Sequence, residues 1–334
     1  MKIIVPMAGR GKRMRPHTLT IPKPLLPIAG KPIVQRLVED IAKVCDEKIE
    51  EIAFVIGDFG QEVEDNLMKV AENLGAKGYV FQQTEALGTA HAIMCAKEVL
   101  DGKTIVAFAD TLFRADFTLD ENQDGIIWVQ KVEDPSAFGV VQLDDEGVIT
   151  EFVEKPEQFV SDLAIIGIYY FKDGAYLKEN LQYLLDNKIM DKGEYQITDA
   201  LERMKQDGTK FTPGAVEEWL DCGKKDATVY TNQRVLEFIK NDDIVASSAT
   251  VEDSVIIPPC YIGEGVELKN SVIGPHASIG DHTKVKDSII RNTIVQTNSE
   301  LEGLNCENSM IGNHTSIEFD AKELSVGDYN ELSD

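Results

Sequence analysis

The sequence predicts an α/β domain over residues 1–240 followed by a parallel β-helix over residues 241–334. Three observations carry this. Up to about residue 110, apolar runs of strand length alternate with amphipathic stretches, the βαβα order of a parallel sheet covered on both faces. From about residue 125, short strand-like runs separated by Asp134-Pro135 and Asp145-Glu146-Gly147 extend that sheet into a mixed one. Beyond residue 243, aliphatic residues recur six apart, as in Ile273, Ile279 and Val285, and several stand before a glycine. A six-residue period marks a hexapeptide solenoid, whereas a helix would need spacings of three and four.

Each element has its own justification. Residues 2–7 (KIIVPM) read as a buried strand, and 51–57 (EIAFVIG) as a second. Between them a helix starts at Lys31-Pro32, because proline suits a first-turn position, and runs to about Asp46 through Ile33, Leu37, Val38 and Ile41. A helix over 60–74, a strand over 79–83, a helix over 89–100 and a strand over 104–109 continue the alternation. Strands follow at 126–132, 138–143, 148–153 and 164–171, then helices near 174–187, 194–206 and 223–240. In the solenoid the step from Leu268 to Ile273 is five rather than six, and the period fades over 296–308.

Composition bounds the function classes. No apolar run approaches the ~20 residues that span a bilayer, and the start lacks the charged and apolar regions of a signal peptide. Five scattered cysteines without a CxxC pair predict reduced thiols in a cytoplasmic protein. With 58 acids against 33 bases, a net charge of -25 argues against nucleic acid as the natural partner. An anionic small molecule stays possible where the chain is locally basic. Residues 7–32 are that place: six Lys or Arg, and no acid anywhere before Glu39.

Within this stretch, Gly9-Arg10-Gly11-Lys12-Arg13 follows the first strand, where doubly wound folds bind ligands. It satisfies neither GxGxxG, since Met14 stands at the third glycine, nor the P-loop, since Arg13 stands where Ser or Thr is needed. Ten residues on, Lys23 is held between Pro22 and Pro24. Prolines stiffen that backbone, which suits a fixed positive charge aimed at a phosphate.

Together the loop and the Pro-Lys-Pro segment (AGRGKRMRPHTLTIPKPLLPIAGKP) resemble the sugar-1-phosphate nucleotidyltransferases, in particular long-form glucose-1-phosphate thymidylyltransferases with a hexapeptide tail. Lys12 stands where that family usually has Thr. Later motifs fall in the family's order. Gln83-Thr84-Glu85-Ala86-Leu87-Gly88 resembles its base-recognition turn, where the Gln amide matches the imide edge of thymine or uracil. Asp110 ends the strand TIVAFAD, and Asp221 lies in EWLDCG with Cys222 for the usual Thr. Ala137-Phe138-Gly139-Val140-Val141, Glu154-Lys155-Pro156 and Ala164-Ile165-Ile166-Gly167 resemble the sugar-binding elements, and Lys192–Asp199 matches a further segment read as structural.

The resemblance implies a Rossmann-like, GT-A-like mixed-sheet domain and a left-handed parallel β-helix. It implies transfer of a nucleotidyl group from an NTP to a sugar 1-phosphate, with pyrophosphate released. Arg13 and Lys23 become the catalytic cations, with Ala8, Gly9, Gly11, Gln83 and Gly88 binding the nucleotide. Gly139, Glu154, Lys155 and Ile165 bind the sugar phosphate, and Asp110 and Asp221 hold Mg²⁺. The expected substrates are dTTP and glucose 1-phosphate, with UTP and glucose or N-acetylglucosamine 1-phosphate as the alternative. The expected assembly is a homo-oligomer without nucleic-acid or membrane partners. A non-catalytic regulatory subunit would be expected to lose the charged residues, yet all four of Arg13, Lys23, Asp110 and Asp221 are present. Acetyl transfer by the tail, with His276, His282 or His314 as base, is not expected of so short a solenoid.

Overall fold

A computed structural model describes residues 1–9, 11–116 and 118–320. The chain divides into two compact units: residues 1–26 with 31–231, and residues 27–30 with 232–334. Arg10 and the last fourteen positions of the solenoid region lie outside the described residues.

In the first unit, strand Lys2–Pro6 is central, parallel to Glu51–Ile56 on one side and Thr104–Ala107 on the other. Ile3, Ile4 and Val5 are fully buried, as expected of a strand covered on both faces. Lys77–Gln82 extends the parallel part. Strand Leu163–Phe171 then runs antiparallel to Thr104–Ala107, and Gly125–Lys131 and Gly139–Leu143 pair with it. The sheet is therefore mixed, in the order 149–154, 139–143, 163–171, 104–107, 2–6, 51–56, 77–82.

Helix α1 (Ile33–Val44) begins directly after Pro32. It buries Ile33, Val34, Leu37, Val38, Ile41 and Val44, one stripe at three- and four-residue spacing. Helix α2 (Gln61–Asn73) follows the second strand. Helix α3 (Thr89–Cys95) is shorter than its sequence suggests. From Ala96 onward the backbone bonds switch to three-residue spacing, with Ala96 N–H donating to Ile93 and Lys97 N–H to Met94. Helices α4 (Gly174–Asp186) and α5 (Ile197–Gln206) pack on the sheet through Leu177, Leu181, Ala200 and Leu201. Helix α6 (Lys225–Phe238) leads out of the unit.

Two four-residue strands not apparent in the sequence, Thr111–Arg114 and Glu218–Asp221, pair antiparallel with Thr111 opposite Asp221. The Cys222 N–H then donates to the Asp110 carbonyl at 2.9 Å. This pairing brings Asp221 beside Asp110 across more than a hundred residues of sequence.

The second unit is a left-handed parallel β-helix whose three faces carry five, four and four strands among the described residues. Paired positions lie 17 residues apart at first (Glu267 opposite Lys284) and 16 apart later (Lys284 opposite Glu300). Leu268, Val285 and Leu301 stack on one inner face, and Ile262, Ile279, Val295 and Ile311 on another. The five-residue step from Leu268 to Ile273 is therefore one corner of a regular coil. The stretch 296–308 continues the coil with Leu301 and Cys306 inward, where Cys306 takes an aliphatic's place. His276, His282 and His314 occupy left-handed corners, as do Asn292 and Asn298, and His276 Nε2 lies 2.6 Å from Glu237 Oε1. No helix among the described residues is long and apolar enough to cross a membrane.

Candidate functional site

The basic stretch begins where strand Lys2–Pro6 ends. Gly11 adopts a left-handed conformation (φ 56°) and starts a short 3₁₀ turn, Lys12–Met14. Its freedom is used for close approach: a Cβ there would lie 2.9 Å from the Lys23 Cβ. Met14 is buried against the Thr228 hydroxyl, which leaves Arg13 exposed one residue earlier. A second 3₁₀ turn, Lys23–Leu25, starts after Pro22 and buries Pro24. The Lys23 side chain, 12% exposed, places its Nζ 2.8 Å from Asp110 Oδ2.

Two contiguous cavities open at these strand ends. One, of about 260 Å³, is lined by Ala8, Gly9, Lys23, Gln83, Gly88 and Asp110 among others. The second, of about 470 Å³, is lined by Arg13, Gly139, Glu154, Lys155, Ile165, Asp110 and Asp221 among others. Thr89, Phe108, Asp110 and Glu194 stand in both walls. The structure thus gathers the residues singled out in the sequence, with Gly11 behind Lys23 rather than in a wall. Lys12 and Arg15 are exposed and line neither cavity.

In the smaller cavity the Gln83 backbone N–H donates to Ile56. Its side-chain Nε2 donates to the Gly88 carbonyl at 3.2 Å. Gly88 (φ 103°) lies so close to the chain at Tyr195 that a Cβ would meet the Tyr195 oxygen at 2.5 Å. Backbone bonds from Tyr195 N to Leu87 O and from Ala90 N to Tyr195 O fasten the turn. The Thr89 hydroxyl does not cap α3. It accepts from Ile197 N–H at 2.9 Å, at the start of α5.

In the larger cavity Glu154 accepts from the Thr198 hydroxyl at 3.4 Å and pairs with Lys155 Nζ at 3.2 Å. A Cβ on Gly139 would lie 3.0 Å from that carboxylate, so glycine leaves it room. The antiparallel register breaks between Ile165 and Tyr169, and the bulge frees backbone groups at the site. There Gly167 O accepts from Phe108 N–H, and Ile166 O from the Thr111 hydroxyl.

Sequence reasoning missed several residues in these walls. Glu194 and Gln196 belong to the segment read as structural, and Gln196 Nε2 donates to Glu194 at 3.1 Å. Their only sequence signal was polarity just before a helix. Trp219 packs edge-on against Phe138 with ring centres 4.9 Å apart, and Lys224 also lines the larger cavity.

Burial, with the Asp110 charge adding to it, pushes the Asp221 carboxyl above its ordinary range against the Gly223 N–H bond, Lys23 and Arg13. Asp110 and Asp221 side by side form a hard oxygen donor set. That chemistry fits Mg²⁺, which takes a few carboxylates and completes its shell with waters and phosphate oxygens. No cluster of three His, Cys, Asp or Glu able to hold a metal occurs among the described residues. Cys222 is fully buried, and burial pushes its thiol up to about 12.

A mixed-sheet domain that collects cations and paired carboxylates in a cleft at its strand ends is organised to handle nucleotide phosphates. Residues 2–237 match the Nucleotidyl transferase family, and residues 231–311 match the GlmU-like C-terminal hexapeptide family. The chain belongs to the nucleotidyl transferase family and carries the hexapeptide domain behind it. It is 35% identical to the low-salt glycan biosynthesis nucleotidyltransferase Agl11 of Haloferax volcanii, over 95% of this chain and 89% of that protein. It is 30% identical to a glucose-1-phosphate thymidylyltransferase of Streptomyces antibioticus, over 99% of both. It is 31% identical to the bifunctional protein GlmU of Methanocaldococcus jannaschii and spans 59% of that protein's length. Among solved structures it is similar to a UDP-glucose pyrophosphorylase complexed with UDP-glucose. The TM-score is 0.60 at 26% identity, covering 71% of this chain and 98% of that one.

Proposed function

We propose that the protein transfers a thymidylyl group from dTTP to the phosphate of glucose 1-phosphate, forming dTDP-glucose and releasing pyrophosphate. The convergence of Lys23, Arg13, Lys155, Asp110 and Asp221 on two contiguous cavities is the observation that carries this reading. The smaller cavity takes the base and ribose, with the Gln83 amide and the Gly88 backbone against the base edge. The larger takes the sugar phosphate, with Glu154 accepting from sugar hydroxyls across Gly139 and Ile165. A sugar-phosphate oxygen attacks the α-phosphorus in line, and the bond to the β-phosphate oxygen breaks. No protein nucleophile is needed, because positioning and charge neutralisation carry the step. Lys155 holds the incoming phosphate, Lys23 neutralises charge at the reacting phosphates, and Arg13 stabilises the departing pyrophosphate. Asp110 and Asp221 would hold Mg²⁺, which when bound supplies positive charge to phosphate oxygens.

Thymidylyl transfer is favoured by similarity to the thymidylyltransferase over 99% of both chains. UTP with glucose 1-phosphate is the second reading, supported by the similarity to the UDP-glucose complex. We further propose a cytoplasmic homo-oligomer assembled through the β-helix, which light scattering at a single-chain mass would refute. The deciding experiment measures pyrophosphate release from five nucleotides against several sugar 1-phosphates with Mg²⁺ present. dTTP with glucose 1-phosphate should give the highest kcat/KM. Preference for GTP with mannose 1-phosphate would overturn the assignment of Gln83.

A further inference from the structure

We propose that His91 is a positioning residue that fixes the polarity of the Gln83 amide and thereby decides which nucleobase edge the cleft accepts. The inference rests on the reading of Gln83 as the base contact and adds the device that aims it.

Gln83 Nε2 donates to the Gly88 carbonyl at 3.2 Å and lies 3.1 Å from His91 Nδ1. A carbonyl can only accept, so the amide nitrogen is the atom that turns to Gly88, and the network itself assigns the orientation. The second amide hydrogen then meets His91 Nδ1. That ring nitrogen therefore accepts, and the imidazole proton sits on Nε2. Both amide hydrogens are committed to the protein. The Gln83 oxygen has no protein partner among the described residues and is the atom left for a ligand.

The frame behind this arrangement is rigid. The Gly88 carbonyl also accepts from Ala92 N–H at 3.1 Å, in the first turn of α3. His91 lies on that same turn. With Gly88 fastened against Tyr195, neither hold on the amide moves independently of the other.

A cleft that offers only an acceptor at this point takes a base edge bearing N–H, such as the imide of thymine or uracil. It opposes the bare ring nitrogen of cytosine, where two acceptors would face each other. Without His91 one hold on the amide is lost and the side chain turns more freely. Selection between dTTP and dCTP is therefore the property His91 controls.

The test compares kcat/KM for dTTP and dCTP in the wild type and in His91→Leu, His91→Gln and His91→Lys. In His91→Leu, which keeps bulk but has no acceptor, the dTTP:dCTP ratio should fall about tenfold, the worth of one lost hydrogen bond. The fall should come through KM for dTTP with kcat nearly kept. His91→Gln restores an acceptor and should restore most of the ratio. His91→Lys presents donors that draw the Gln83 oxygen away, and its ratio should fall below that of His91→Leu. A wild-type ratio in His91→Leu overturns the inference while leaving the functional reading intact. So does a His91→Gln ratio no better than that of His91→Leu. Should His91→Leu fail to fold, equal ratios in His91→Gln and His91→Lys overturn it instead. A wild-type enzyme that prefers neither dTTP nor UTP to dCTP defeats the reading of Gln83 itself, before any variant is compared.

Discussion

Replacing Lys23 with methionine removes the charge while keeping an unbranched chain against Gly11. In the free protein Lys23 Nζ lies 2.8 Å from Asp110 Oδ2, with the lysine side chain 12% and the aspartate 41% exposed. At an effective dielectric of about 20, unit charges in contact attract by about 4–6 kcal/mol. Desolvation of the ammonium offsets most of that, so losing the pair should lower stability by about 1–2 kcal/mol. Turnover has a different scale. Removing one preorganised cation from developing phosphate charge costs about 3–4 kcal/mol of barrier, or about 10²–10³ in kcat. The two losses can be separated by Lys23→Met/Asp110→Asn, which removes the stranded carboxylate along with its partner. Urea unfolding should show stability largely recovered in this double variant, while pyrophosphate release stays as low as in Lys23→Met or lower. Wild-type kcat in Lys23→Met would refute the role of Lys23. Turnover restored in the double variant would mean that lysine serves only to neutralise Asp110.

Two further outcomes follow from the same geometry. Burial, reinforced by the Asp110 charge, raises the Asp221 carboxyl above its unfolded value. Its neutral form therefore favours the fold, and that stability is lost as pH rises through the raised value. Metal-free Asp221→Asn should melt above the wild type at pH 7, with the gap closing below the ordinary carboxylate range, and Mg²⁺ should stabilise only the wild type. An equal or lower melting temperature at pH 7 would contradict the charge opposition. Gly88→Ala places a Cβ 2.5 Å from the Tyr195 oxygen and 2.7 Å from its nitrogen, backbone atoms that cannot step aside as a side chain would. It should cost about 2–4 kcal/mol of stability and raise KM for the nucleotide at least about tenfold; an unchanged KM would detach the turn from base binding.

How legible the molecule was in its sequence depended on how local each cause is. Helix α1 was readable because Pro32 and the stripe Ile33, Leu37, Val38, Ile41 are contained in one segment. The three-residue bonding that ends α3 at Cys95 leaves no such mark, since Ala96 and Lys97 are good helix formers. Strands Thr111–Arg114 and Glu218–Asp221 are four residues each and owe their existence to each other. No window of sequence contains that pairing. Asp110 and Asp221 are therefore legible only through motif resemblance, whereas Glu194 and Gln196 lie in a segment whose resemblance points to a structural role. In the β-helix the period was visible while the inward-facing strand positions stayed aliphatic, and it faded where Cys306 replaced an aliphatic side chain.

The contrast between an acidic chain and its acid-free stretch of 26 residues gains a physical meaning from how the cations of that stretch are held. Lys23 is 12% exposed and already faces a carboxylate, whereas Arg13 is exposed and Lys155 is 52% exposed. A cation held in place costs no reorganisation when phosphate charge arrives. An exposed one loses side-chain freedom on binding and is screened by salt until then. The stiff Pro-Lys-Pro backbone and the missing Cβ of Gly11 both serve the held cation, so the sequence invests its special residues where preorganisation is greatest. Excluding acids from the stretch has the complementary effect. Any carboxylate within reach of Lys23 other than Asp110 would compete with the phosphate for it, and the first acid in the chain, Glu39, lies on α1 and bonds Lys31.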